Sequence, residues 1–121
     1  SSRNLLNWAR DGLIDVIQYD IHSPGFSRWH LLGPELDRFD VGSAPHNWGD
    51  PFGNFTACHI AAGIRNFQMA EWDEALVPGL DFSRYVVEDG VVTVPDLPGF
   101  GIGLDERFYT NSVKELGFVV S

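Results

Sequence analysis

Three residues able to carry acid–base chemistry, Asp20, His46 and Glu71, recur at intervals of about 25 residues. Each lies at the end of a run that reads as a strand. Residues 13–21 (LIDVIQYDI) hold Asp20, residues 40–44 (DVGSA) lead to His46, and residues 67–72 (FQMAEW) hold Glu71. Equivalent ends of parallel strands lie on one side of a sheet, with neighbouring strands about 4.8 Å apart. So arranged, the three side chains would point into one mouth, with Asp20 and His46 near hydrogen-bond reach. A carboxylate against one imidazole nitrogen fixes the tautomer and leaves the other nitrogen a usable base near neutral pH. Glu71 would hydrogen-bond or polarise from the far side. The plainer reading is that each polar residue merely ends a strand, and that His46 is a turn histidine between Pro45 and Gly49.

Positioning these residues falls to an alternation of elements. Residues 1–12 read as a helix, with Leu5, Leu6, Trp8 and Ala9 as its apolar stripe and Gly12 as its stop. Residues 26–39 read as a helical region interrupted at Gly33-Pro34, where Pro34 would begin a second short helix. A loop from Asn47 to Asn54 precedes a small-residue helix over 55–64. Helix and strand in alternation argue for parallel βαβ units. A unit of about 25 residues suits a (β/α) barrel, whose eight units total about 250. About three units alone would leave open strand edges. The expectation is therefore an α/β chain in which residues 1–76 are the C-terminal part of a TIM-type barrel, the rest being absent or on another chain. Active sites of such barrels are built at the strand C-termini.

From residue 77 to 121 the rhythm stops. Pro78-Gly79, Asp89-Gly90 and Pro98-Gly99 mark turns, and residues 85–87 and 91–94 flank what reads as a hairpin. Residues 105–116 read as a last helix and 118–120 as a final extended piece. Gly99, Gly101 and Gly103 do not form a dinucleotide loop, because no helix follows directly.

Composition narrows the function classes. A net charge of −9 disfavours nucleic acid and anionic membrane as partners, since both require a basic patch. No apolar run approaches the roughly 20 residues of a membrane helix, and the first residues do not form a signal peptide. A cytoplasmic setting is expected, and the single cysteine, Cys58, fits a reducing compartment as a small core residue. Asn54-Phe55-Thr56 matches a glycosylation sequon and is set aside for the same reason. Among the remaining histidines, His22 stands just past a strand end and is a candidate for the pocket. His30 reads as pocket or surface, and His59 as a helix packing residue. Trp48 and Trp72 lie near the presumed mouth and are candidate walls of a substrate site, or else core or subunit interface.

Four stretches in register carry a resemblance. They are Asp15-Val16-Ile17-Gln18-Tyr19-Asp20, Ala44-Pro45-His46, Cys58-His59-Ile60-Ala61-Ala62 through Ala70-Glu71-Trp72, and residues 94–103 (VPDLPGFGIG). Together they resemble the C-terminal part of the mandelate racemase group of the enolase superfamily, over nearly the whole chain. The resemblance implies a barrel with an N-terminal capping domain, Mg²⁺ and a carboxylate substrate. It implies that Asp20 and His46 form an Asp–His dyad and that Glu71 hydrogen-bonds the substrate carboxylate and its enediolate. Residues 77–121 would be the closing segment that packs on the barrel and returns toward the cap. The family's three carboxylate metal ligands and its second base, a lysine, belong to earlier strands, so no metal ligand is expected in this chain. Gly25-Phe26 stands where many relatives carry Gly-Gly.

The chemistry implied is demanding. A proton beside a carboxylate is too weakly acidic for an unaided imidazole. A divalent metal and a hydrogen-bonding acid stabilise the enediolate, typically by several kcal/mol, and Lys or His serves as base. The implied function is a Mg²⁺-dependent acid-sugar dehydratase. The alternatives are a racemase or epimerase of a 2-hydroxy acid, or a non-catalytic barrel relative. The implied partners are a small-molecule carboxylate, the N-terminal part of the same protein, and further copies in a homo-oligomer.

Overall fold

The backbone of residues 15–21 runs parallel to that of residues 42–46. A computed structural model describes residues 4–23 and 25–117. In it Val16 pairs with Gly42 and Ile17 with Ser43, and the isolated bridge between Asp20 and His46 keeps the same offset. Bonds from Gly42 N to Asp15 O (2.8 Å), Ala44 N to Ile17 O (3.0 Å), His46 N to Tyr19 O (3.0 Å) and Ile21 N to His46 O (2.8 Å) carry that pairing through to the site.

The chain divides into two compact units, Ser1–Ala75 and Leu76–Ser121. The first holds α1 (Leu5–Arg10), β1 (Val16–Ile17), α2 (Phe26–Arg38), β2 (Gly42–Ser43) and α3 (Pro51–Ala61). Its core joins Ala9 of α1, Ile17 and Ile21 of the first strand segment, Trp29 and Leu36 of α2, Val41, and Ala57, Ile60 and Ile64 of the α3 region. Burying one side chain of the Leu36 kind contributes about 1.5–3 kcal/mol.

Several expected boundaries differ, each for a physical reason. The run 13–21 is only a two-residue strand, since Leu13 is 72% and Val16 40% exposed and the segment has one strand partner among the described residues. Residues 67–72 form no strand; their backbone meets the sheet through Ser43, which donates to Asn66 O and accepts from Gln68 N, each at 2.9 Å. α2 is one continuous 13-residue helix with Pro34 inside it. A mid-helix proline costs about 3 kcal/mol, yet Trp29 and Leu36 are fully buried on either side of it and Gly33 packs on Ile64. Tertiary packing decides the outcome. α3 starts at Pro51, before the expected Phe55, because the Asp50 side chain accepts from Phe52 N at 2.7 Å and Pro51 fills the first turn.

The second unit holds β3 (Leu80–Asp81), β4 (Val86–Glu88), β5 (Val91–Thr93), β6 (Gly103–Leu104) and α4 (Glu106–Tyr109). β4 and β5 form the antiparallel hairpin, turned by Asp89 (φ 50°) and Gly90 (φ 76°) as a two-residue turn of that hand requires. β3 and β6 pair antiparallel. The expected last helix is split into α4, capped by Asp105 on Phe108 N, and a π-helical turn over Thr110–Glu115. The expected extended piece at 118–120 lies outside the described residues, as do residues 1–3 of the expected first helix.

Candidate active site

The parallel register sets Asp20 opposite His46, and their side chains meet. Nδ1–H of His46 donates to Oδ2 of Asp20 at 3.3 Å, across 26 residues of sequence. The carboxylate can only accept, so it places the ring proton on Nδ1 and leaves Nε2 with the lone pair. Nε2 faces Oε2 of Glu71 at 3.8 Å. All three side chains keep access to solvent, at 49% for His46, 43% for Asp20 and 47% for Glu71.

Asp20 is itself held. Its Oδ1 accepts from the backbone N–H of His22 at 2.8 Å and of Ser23 at 3.1 Å, and its carbonyl accepts from Trp29 Nε1–H at 3.2 Å. Desolvation raises the carboxyl pKa. The hydrogen bonds from Ser23, His22 and the His46 ring, with the nearby His22 ring, outweigh it and leave Asp20 below its ordinary value. Asp20 is therefore a fixed anion at neutral pH.

The interval between His46 and Glu71 conceals a change of register. Ser43 bridges Phe67, so Glu71 falls opposite Asn47 rather than His46. The Asn47 N–H donates to Glu71 Oε2 at 2.7 Å, across 24 residues. Glu71 reaches His46 only with its side chain.

His22 lies beside the dyad, with Nε2–H donating to Oδ1 of Asn47 at 3.1 Å. Trp48 and Trp72 line a cavity of about 510 Å³ with Asn47, Gly49, Glu71 and Asp73. Trp48 is 81% exposed. His46 opens onto a second cavity of about 340 Å³, shared with Gln18, Ala44, Met69 and Glu71. Glu71 borders both cavities. His30 is away from them, stacked on Phe26 along α2 with ring centroids 6.3 Å apart. Cys58 is buried, and burial pushes its thiol pKa up to about 11, so it has no thiolate to offer. Asn54 of the sequon is 1% exposed and unavailable to modification.

Asn47, Asn54 and Asp73 were not singled out by sequence reasoning. Asn47 Nδ2 donates to Asn54 Oδ1 at 2.8 Å and to Asp50 O at 3.1 Å. Asn54 Oδ1 also accepts from Asp73 N at 2.9 Å, and Asn54 Nδ2 donates to Asp73 O at 2.6 Å. A signal was present: an Asn directly after the histidine, and an Asn one turn past a helix-starting Asp-Pro.

The donor set does not suit a divalent cation. Among the described residues no three His, Cys, Asp or Glu gather as a metal site. Asp20 and Glu71 already accept from backbone N–H groups and flank the His46 ring. No helix of the described residues is long and apolar enough to cross a membrane.

Residues 1–108 match the family described as enolase C-terminal domain-like. Among solved structures, a variant of galacturonate dehydratase from Geobacillus sp. complexed with Mg is 41% identical, with a TM-score of 0.91, covering 98% of this chain and 31% of that one. The same enzyme complexed with D-galacturonate and 5-keto-4-deoxy-D-galacturonate gives 41% and 0.90, over 94% of this chain and 31% of that one. A mandelate racemase/muconate lactonizing protein from Geobacillus sp. Y412MC10, complexed with magnesium and tartrate, gives 41% and 0.91, covering 98% and 31%. The chain thus spans about a third of the length of these relatives. No curated protein matches it.

Proposed function

This chain belongs to the enolase C-terminal domain-like family, among relatives of the mandelate racemase/muconate lactonizing enzyme type, and from that premise we propose that it is the C-terminal part of a Mg²⁺-dependent acid-sugar dehydratase. In this reading residues 1–76 complete a (β/α) barrel with strands supplied outside this chain, and residues 77–121 pack on that barrel and its capping domain. The carrying observation is the Asp20–His46 bond at 3.3 Å, which leaves Nε2 of His46 as a basic nitrogen beside Glu71.

The two sugars bound to the galacturonate dehydratase relative differ by one water. Their relation states the chemistry: a proton leaves C5, beside the carboxylate, the C4–O bond breaks, and the enol formed becomes the 5-keto group. Three groups of this chain would serve that sequence. His46 Nε2 takes the proton or returns one to the departing hydroxide, so that water leaves. Asp20 holds the ring and stabilises its charged form. Glu71 hydrogen-bonds the substrate carboxylate and its enediolate. His22, Trp48 and Trp72 border the substrate. By the family resemblance, the reading places the Mg²⁺ ligands, and the second base, outside this chain. It also places the enzyme in the cytoplasm as a homo-oligomer.

The test is to incubate the complete protein with Mg²⁺ and D-galacturonate in D₂O and follow the sugar by NMR. Loss of water with deuterium entering C4 is expected. Inversion beside the carboxylate without loss of water would instead establish a racemase or epimerase. No reaction of a folded, Mg²⁺-loaded protein across a panel of acid sugars would establish a non-catalytic relative.

A further inference from the structure

We propose that Asn54 is a positioning residue. With Asn47 it forms a buried amide relay that fixes the loops carrying His46 and Glu71 to α3. This rests on the reading above for its catalytic consequence, and on geometry alone for the relay.

Two uncharged amides sit in the interior of the first unit, each 1% exposed. A buried amide left unpaired costs about 1–3 kcal/mol per group, so such residues persist where partners are complete. Here they are. The Asn54 side chain both accepts from Asp73 N and donates to Asp73 O, a two-point clamp on the backbone just after Glu71. Those backbone groups settle which end of the Asn54 amide is which: Oδ1 faces Asp73 N and Nδ2 faces Asp73 O. Oδ1 then also accepts from Asn47 Nδ2, which leaves Asn47 Oδ1 to accept from Nε2–H of His22. One amide orientation propagates through the second to a histidine ring.

The relay spans the elements that build the site. His22 follows β1, Asn47 adjoins His46, Asn54 is on α3, and Asp73 follows Glu71. Asn47 N–H meanwhile holds Glu71 Oε2 at 2.7 Å, and Asp73 Oδ2 accepts from Gly49 N. The fold also reserves space for the relay. A Cβ on Gly53 would stand 1.9 Å from Asn47 Oδ1. The Asn54 side chain bonds to Asn47 and Asp73 and acts on the dyad and Glu71 through them.

The test is Asn54→Asp in the complete protein. An aspartate keeps an oxygen for Asn47 Nδ2 and Asp73 N but sets a second oxygen against Asp73 O, where a donor is required. Amide hydrogen exchange should accelerate at Asn47 and Gly49, with exchange in α2 unchanged. With D-galacturonate and Mg²⁺, kcat should fall about 10–100-fold, the range for lost outer partners of site residues, with KM within about threefold. Asn54→Ser, smaller and still polar, replaces it if the aspartate variant fails to fold. Unchanged exchange at Asn47 and Gly49 overturns the relay. Accelerated exchange with unchanged kcat overturns the positioning role. If the parent protein turns over no acid sugar, the dehydratase reading fails by itself, and the exchange result still decides the relay.

Discussion

Glu71 is anchored by Asn47 rather than by His46: its Oε2 accepts from the Asn47 N–H at 2.7 Å and stands 3.8 Å from Nε2 of His46. The difference matters for chemistry. A tight ion pair between Glu71 and His46 would neutralise the nitrogen that the proposed reaction needs. A backbone anchor holds the carboxyl at the mouth and leaves Nε2 open toward its cavity. A hydrogen bond from Asp20 fixes the opposite ring nitrogen. The two acids therefore divide the ring, one bonded and one poised.

His46→Asn should keep the fold and remove turnover. The side chain is 49% exposed, so little packing is lost, and such substitutions usually stay within about 0.5 kcal/mol. A positioned base contributes about 10²–10⁴ in rate, and kcat should drop by at least that much. Calorimetric titration with the substrate should show that binding persists. A folded variant with near-parental kcat would remove His46 from the chemistry.

Asp20 makes stability depend on pH in one direction. Its pKa is lowered in the folded state, so its stabilising contribution is complete above the unfolded value of about 3.9 and is lost as pH falls through the lower, folded value. Asp20→Asn should therefore flatten the acid-side loss of stability below about pH 4. Urea melts of both proteins across that range measure it. Activity at pH 5–8 should not follow the protonation of Asp20, which stays ionised throughout.

The pairing of Asp20 with His46 was legible in the sequence because parallel pairing conserves an offset. Asp20 and His46 meet as their interval implies. The interval to Glu71 was misleading by one residue, since the ladder from Ser43 to Phe67 has a shorter offset. That error was invisible because a glutamate side chain is long enough to conceal it. Pro34 signalled a break by local rules, and Trp29 and Leu36 overrode it through packing that no local window contains. The start of α3 was legible in Asp50-Pro51, but Gly53 argued for a loop. Gly53 is a glycine because Asn47 presses on it. Long-range contacts of this kind leave no periodic trace.

Cys58 should be inert in the native protein. It is buried, and desolvation raises its pKa to about 11. Only the thiolate reacts, and at pH 8 its population should be small. Labelling with a thiol reagent at pH 8 should proceed only on unfolding, with a rate that rises through the denaturation transition. Fast native labelling at Cys58, located by mass spectrometry, would show that α3 opens locally.

Gly53→Ala links packing to the site. The new Cβ would lie 1.9 Å from Asn47 Oδ1, 2.3 Å from its Cγ and 2.8 Å from Ile21 Cγ2. None of these is a flexible side-chain end, because Asn47 is pinned by Asn54, Asp50 and His22. The helix itself gains, since alanine is favoured over glycine by about 1 kcal/mol in a helix interior. Overpacking of a well-filled interior costs about 1–3 kcal/mol, and the displaced Asn47 loses buried hydrogen bonds as well. The cost should exceed the gain. Chemical denaturation should show a net loss of stability, and kcat should fall because Asn47 N–H no longer holds Glu71. Gly63→Ala is the control. Gly63 follows α3, and its added Cβ meets only Ile60 O at 3.7 Å. It should leave both quantities near the parent. If Gly53→Ala behaves like Gly63→Ala, Asn47 has room to move, and the rigidity claimed for the site is absent.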